Sequence, residues 1–389
     1  MNTFQQRMGR WMFGGLAVGV IAGALCAAAA MFQPEQFYPA YLVAFLLFTG
    51  LSLGSLAISM LHHLTGGGWG IPIRRIVESA AAVLPLMAIL FVPIVLGMKT
   101  LYPWTDAEHL DEVLLRKAAY LNEEAFTIRA AIYFGVWILF MLLLNRLSFT
   151  ASAELQERRA RALAIISGWG LTLWWLAVTF AAVDWSMSLE PHWYSSMYGV
   201  LFVAGQAVSA LSLAIIVSVL LMKTPPAANV ITGARLHDLG NFLLAFVMFW
   251  SYVSFMQFLI IWSGNLPEET PWYLRRSHHG WQVFVAILMG LHFLVPFLLL
   301  LMRQMKRNLR RMVLISAWLI GMRLVDLCWL VLPAFWEKLW LPWPLLVTLP
   351  AVGGLWLAAF AWRLSVRGPL LVTELEFEET TGEVVTHAH

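Results

Sequence analysis

Ten long apolar stretches, separated by short polar or charged ones, dominate the pattern of this chain. They fall at about 11–31, 39–61, 76–98, 128–145, 162–183, 197–222, 239–262, 281–302, 312–335 and 343–364. Each supplies close to the ~20 residues that a helix needs to cross a hydrocarbon core ~30 Å thick. Helices are the expected form, because lipid offers no partners to backbone N–H and C=O groups and a helix satisfies them within the segment. Pro39, Pro72, Pro191 and Pro342 mark expected helix starts. The pattern predicts an all-α, polytopic membrane protein with one membrane domain over 1–367 and a short, polar, acidic tail over 368–389. The first stretch, Trp11–Met31, is too long for a signal-peptide core, so it reads as a retained helix.

Composition agrees with this reading. Hydrophobic residues make up 60% of the 389 positions and charged ones only 12%, about half the share usual in soluble domains. The net charge of +3 is too small to point to nucleic acid. Basic residues are unevenly placed. One set of ends and loops, which includes Arg7, Arg74, Arg75, Arg158, Arg235 and Arg303, holds 17 of the 25, and the alternate set holds 7. The bias places both termini in the cytoplasm, and the composition fits a bacterial inner membrane. The outer loop 99–127 is acidic and part-helical by pattern, either a docking surface or simply solvated. Outer loops are also rich in tryptophan and proline, as interfacial aromatic belts are.

A faint repeat runs through the chain. Phe48-Thr-Gly50 followed by Ser52, Gly54, Ser55 and Ser59 is similar to Phe202-Val-Ala-Gly205 followed by Ser209, Ser212 and Ser218. Duplicated bundles produce such echoes, and so do small residues in any packed membrane helix.

The polar residues within the apolar stretches carry the candidate chemistry. Arg323 and Asp326 lie three apart, on one helical face, near the centre of the ninth stretch. A charge there costs about 2.5–3.5 kcal/mol to insert, so the two must face the protein interior, as an ion pair or as part of a proton or ligand path. His292 stands midway along the eighth stretch with no second histidine at its depth, which argues against haem b. Glu78 can fold back on Arg74 or Arg75, as an ion pair or as a proton-uptake carboxylate. His62 and His237–Asp238 fall at the cytoplasmic ends of their stretches, and Asp184 at the outer end of the fifth. There Asp184 opposes the negative end of the helix dipole and needs a compensating partner. Thr49, Ser52, Ser55 and Ser59 form a hydroxyl stripe, read as packing glue or as a wettable track. Cys26 and Cys328 form no metal-binding spacing, and the glycine-rich turn at 66–70 is not followed by the Lys-Ser/Thr of a phosphate loop. Ordered by depth, His62, Glu78, His237 and Asp238 lie inside, His292, Arg323 and Asp326 midway, and Asp184 outside, the grading a proton relay requires.

Three segments together resemble a known family. They are Leu61–Glu78 (LHHLTGGGWGIPIRRIVE), Asp184–Trp193 (DWSMSLEPHW) and Asp238–Phe242 with Phe255–Glu269 (FMQFLIIWSGNLPEE). The chain, over roughly 40–340, is similar to the second, shorter NrfD-like membrane subunits of alternative complex III, the ActF family. The resemblance implies ten helices with two related four-helix bundles plus two extra helices. It also implies membership of a quinol-oxidising respiratory complex that delivers electrons to cytochrome c or an oxygen reductase. The implied partners are a sister NrfD-like subunit, a periplasmic iron–sulfur protein, and multihaem and monohaem cytochromes c. Iron–sulfur clusters and haem c then sit on those partners. This chain binds no redox cofactor of its own and either moves protons or acts as a scaffold. Two other readings stay open at this stage: a quinol-binding NrfD-type anchor, and a standalone secondary transporter.

Overall fold

In the computed structural model the regular structure is helical throughout, with no strand among the described residues, which are 3–106, 111–148, 156–221 and 233–367. Ten helices are long and apolar enough to cross a membrane. They are α1 (Phe4–Phe32), α2 (Pro34–Thr65), α3 (Arg74–Leu96), α4 (Glu123–Ser148), α5 (Arg158–Leu189), α6 (Tyr198–Leu221), α7 (Gly233–Gly264), α8 (Gln282–Leu301), α9 (Leu309–Ala334) and α10 (Leu345–Val366). The tail 368–389 lies outside the described residues.

Local chemistry explains most departures from a straight rod. α2 opens at Pro34, in the first helical turn where a missing N–H costs nothing, so Pro39 lies inside the helix and does not start it. α3 is divided into Arg74–Ala81, Leu84–Ile89 and Val92–Leu96, with Pro85 and Pro93 in the first turns of the later pieces. In α8 the backbone widens to a π turn over Leu288–Leu294. Pro296 follows, and it offers no N–H to the carbonyl of His292 and crowds it with its ring. The wider turn relieves that clash.

Neighbour relations divide the helices into two closed rings of four. α2 packs on α3, α3 on α4, α4 on α5 and α5 back on α2; α6, α7, α8 and α9 close the same way. The first helix of each ring is its most enclosed member, and α2 and α6 also pack on each other. Their contact passes Gly54, where any β-carbon would overlap the carbonyl of Gln206. Matching places for α2 and α6 agree with the repeat visible in the sequence. α1 and α10 stand outside both rings as an antiparallel pair. Gly15 and Gly19 meet the backbone of Gly354 and Leu355, and Trp343 donates to Gln33 Oε1 at 2.6 Å. Small residues that let backbones approach are the usual basis of helix association in lipid, where no hydrophobic gain separates one apolar neighbour from another.

Successive helices alternate in direction. The α1 start, the 66–73 turn, the 302–308 turn and the α10 end share one side, called here the terminal side. The far side carries 97–106, 111–122, 190–197, 265–281 and 335–344.

Candidate functional site

The buried polar groups gather at defined places in each ring. In the second ring, α9 turns Ser316, Arg323 and Asp326 inward; they lie seven and three residues apart, and all are at most 2% exposed. Arg323 Nη1 donates to Asp326 Oδ2, and Trp250 Nε1 from α7 donates to the same oxygen at 3.3 Å. The Arg323 guanidinium lies against Gly205 of α6, where a β-carbon would overlap it, and 5.4 Å from the Phe202 ring centroid. His292, held by the π turn of α8, sets its ring 4.0 Å from that of Trp250. It is fully buried, and its ring nitrogens have no well-formed hydrogen bond; the Met322 backbone is the one group near enough to approach one. Gln206 Oε1, Ser212 Oγ and Ser316 Oγ are buried and unpaired as well. Buried polar atoms left unpaired are costly, so each is a place suited to internal water; the Gln206 side chain lies against Gly50, at the contact of α6 with α2. The expected Arg323–Asp326 pair is therefore present, and Trp250 and His292 complete it.

Towards the far side, Tyr198 lies within electrostatic reach of Asp326, Arg276 and Glu190, and its hydroxyl meets Ser186 Oγ at 2.7 Å. Glu190 accepts from Arg276 Nη2 at 2.6 Å and Arg275 Nη1 at 3.1 Å. Arg276 is buried, lies 3.7 Å over the Trp272 ring, and donates to the carbonyls of Trp329 and Leu330 at the end of α9. Its positive charge thus answers the unsatisfied carbonyls of that terminus. Glu190 follows α5, so this clasp ties the two rings together.

Two buried carboxylates of the first ring are ion-paired. On the terminal side Glu78 receives Arg74 Nε and Arg75 Nη1, each at 3.2 Å, and Ser148 Oγ at 2.9 Å. On the far side Asp184, fully buried, is gripped by Arg129 through Nε at 2.8 Å and Nη2 at 3.0 Å, and by Tyr133 Oη at 2.8 Å. Arg129 also lies 3.8 Å over the Tyr120 ring and donates to its carbonyl. This is the compensating partner that Asp184 needs at a helix end. Asp184 and Asp326 occupy matching places: each is on the fourth helix of its ring, seven residues before a proline (Pro191 and Pro333), with an arginine on its carboxylate.

The remaining sequence candidates lie near the terminal surface. His62 packs edge-on to Trp69, and Trp69 lies 4.6 Å from Phe242 of α7, so the 66–70 turn bridges the two rings. His237 and Asp238 are 3.8 Å apart and partly exposed, beside Asn241. The structure thus brings His292, Arg323 and Asp326 together, links His62 to the start of α7 only through Trp69 and Phe242, and leaves Glu78 and Asp184 as separate clusters at opposite ends of the first ring. The hydroxyl stripe of α2 is buried; Ser52 accepts from Trp356 Nε1 at 2.9 Å, while Thr49 and Ser55 have no protein partner.

Trp250, Tyr198, Glu190, Arg276 and Arg129 were not among the sequence candidates. Arg129 had a visible signal, a cation two residues inside an apolar stretch. The others had none, since tryptophans and tyrosines abound here and Glu190 and Arg276 lie in loops. One far-side loop carries a further latch: Asp111 caps Glu112–Lys117 by accepting from Leu114 N–H at 2.8 Å, and meets His192 Nε2 at 2.5 Å. These bonds hold its carboxyl below the usual carboxylate range. Lys117, partly buried and donating to the Pro191 carbonyl at 2.7 Å, is shifted down by desolvation.

No protein-family model matches the chain, and a search of curated proteins returns no relative. Fold and composition alone decide its class. It is a ten-helix, multi-pass integral membrane protein.

Proposed function

We propose that this protein is a membrane subunit of a quinol-oxidising respiratory complex in a bacterial inner membrane, and that it carries protons while partner subunits carry the electrons. The observation that supports a proton role best is the cluster in the second ring. A buried carboxylate there is shared by an arginine and an indole, beside a buried histidine whose ring nitrogens have no well-formed hydrogen bond. The Arg323 guanidinium sets the charge of the cluster while Asp326 and His292 exchange protons. Asp326 takes a proton when Arg323 shifts towards Phe202, and passes it on when the pair closes. The route starts on the terminal side, near His62, Glu78 and the His237–Asp238 end of α7. It continues past the unpaired hydroxyls to His292 and Asp326. It leaves by Tyr198 and Glu190, with Asp184 as the equivalent carboxylate of the first ring. Moving one charge against 100 mV costs about 2.3 kcal/mol, which quinol oxidation elsewhere in the complex supplies. In this reading haem c and iron–sulfur clusters belong to partner cytochromes and an iron–sulfur protein, the termini lie in the cytoplasm, and quinol is oxidised by a sister subunit.

Asp326→Asn, His292→Phe and Glu78→Gln, each in the assembled complex within sealed vesicles, test this. Quinol oxidation and proton movement are recorded separately. Proton movement falls before electron transfer does in Asp326→Asn; an unchanged proton-to-electron ratio in all three refutes the path.

A further inference from the structure

A cavity of about 280 Å³ opens on the terminal side between the 66–70 turn and the first turns of α7, lined by Gly68, Trp69, Arg235, Asp238, Asn241 and Phe242. Its chemistry is bipolar. Arg235 lies against Gly68, with Nε 3.8 Å from where a β-carbon would stand. Asp238, one turn further along the same helix, is more than half exposed. Trp69 and Phe242 form an aromatic wall behind them, their rings 4.6 Å apart. Among the described residues, two further charged groups stand at this end of α7: His237, 3.8 Å from Asp238, and Lys306, whose Nζ donates to Asn241 Oδ1 at 2.5 Å. Cation, carboxylate and aromatic faces in one small cavity recognise a zwitterion whose phosphate and ammonium are a short bridge apart. Side chains at i and i+3 of a helix stand ~5–6 Å apart at Cβ, within reach of both ends of a phosphoethanolamine group.

The cavity continues into the membrane-facing surface. From Asp238 and Asn241, the exposed positions of α7 run through Ala245, Met248, Tyr252, Phe255 and Phe258, three or four residues apart, as one unbroken stripe. With 32 residues, α7 is ~48 Å long against a hydrocarbon core of ~30 Å, so roughly the first six residues stand at headgroup level and the stripe below them at acyl-chain level. Polar cavity above and apolar stripe below match the two parts of one lipid.

We infer that this cavity and the α7 stripe form a specific site for a phospholipid with a primary ammonium headgroup, such as phosphatidylethanolamine. Arg235 binds the phosphate, Asp238 accepts hydrogen bonds from the ammonium against the Trp69–Phe242 wall, and the acyl chains lie along Met248, Tyr252 and Phe255. Phosphatidylglycerol would place its phosphate there with no cation for Asp238, and a choline headgroup has no N–H to donate. The site shares Asp238 with the proton entry proposed above, but its test reads lipid retention alone, so either reading can fail without the other.

The test is lipid retention by the full chain, purified from its own membranes in mild detergent and exchanged into equal mixtures of phosphatidylethanolamine, phosphatidylcholine and phosphatidylglycerol, read by native mass spectrometry. The wild type retains phosphatidylethanolamine over each of the others by about tenfold, the scale of one charge-assisted hydrogen bond. Asp238→Asn loses that preference and Asp238→Glu keeps it, while Arg235→Gln weakens retention of all three lipids. Equal retention of the three by the wild type, or an intact preference in Asp238→Asn, overturns the inference. Retention of soluble phosphoethanolamine without acyl chains overturns the lipid assignment, and failure to retain any lipid overturns it in favour of a protein partner on the stripe.

Discussion

Removing the Arg323 guanidinium alone should destabilise the protein far more than removing the whole ion pair. In the wild type, Asp326 Oδ2 receives Arg323 and Trp250, and no other hydrogen-bond donor to this carboxylate is found among the described residues. Arg323→Gln would leave the carboxylate, which is 1% exposed, with the indole as its main donor. Breaking a buried pair from one side costs about 3–5 kcal/mol, whereas replacing both partners by apolar groups of similar volume is often neutral or stabilising. Asp326→Leu alone strands the guanidinium at the same scale. The double variant Arg323→Met/Asp326→Leu should therefore be less destabilised than the sum of the single variants by about 3 kcal/mol or more. Gly205→Ala offers an independent check. Its methyl would drive the guanidinium off the carboxylate, at a cost of about 1–3 kcal/mol in the wild type and little in an Arg323→Met background. Reversible unfolding in mixed micelles, with tryptophan fluorescence as the readout, gives all four corners of the cycle. A coupling energy below about 0.5 kcal/mol would mean that the two groups act independently, and the account of this cluster would fail.

Glu190→Gln should loosen the clasp between the rings at a smaller cost, about 1–3 kcal/mol, because Arg276 keeps the carbonyls of Trp329 and Leu330; faster hydrogen exchange over 186–198 and 270–281 is the measurement. Gly354→Val should separate α1 from α10 without disturbing either ring, seen as lost cross-linking between cysteines placed at Gln5 and Ser365, whose side chain and carbonyl lie 3.2 Å apart. The Asp111 latch should be pH-dependent in one direction. Its folded-state carboxyl is depressed, so the stabilisation is complete above the ordinary value of 3.8 and is lost as pH falls through the lower folded value. Hydrogen exchange of 111–117 should rise, beyond its intrinsic pH dependence, as pH falls below the ordinary carboxylate range.

The sequence made the spans legible because each apolar stretch is long and the loops between them are short, so helix number followed from length alone. The ends were less visible. α5 runs on to Leu189 and α7 starts at Gly233, since membrane helices extend into the headgroup zone where polar residues no longer interrupt them. Glu78 with Arg74 and Arg75, and Asp326 with Arg323, were readable because their partners are one turn away on the same helix. Asp184 with Arg129, and Glu190 with Arg276, were not, because those partners are more than fifty residues apart and meet only once the helices are packed. The ring structure was visible only as an echo between α2 and α6. The π turn at His292 had a sequence cause in Pro296, yet a proline alone does not say whether a helix kinks, breaks or widens.

The pairing of α1 with α10 sets the order in which the molecule can be completed. A ribosome delivers α1 well before α10, so the glycine face of Gly15 and Gly19 must wait through the synthesis of both rings for its mate. Every other helix finds a ring neighbour soon after it emerges. This seam alone must wait for a helix made after both rings, so a bare glycine face on α1 marks a chain whose two rings are not yet joined by their outer pair.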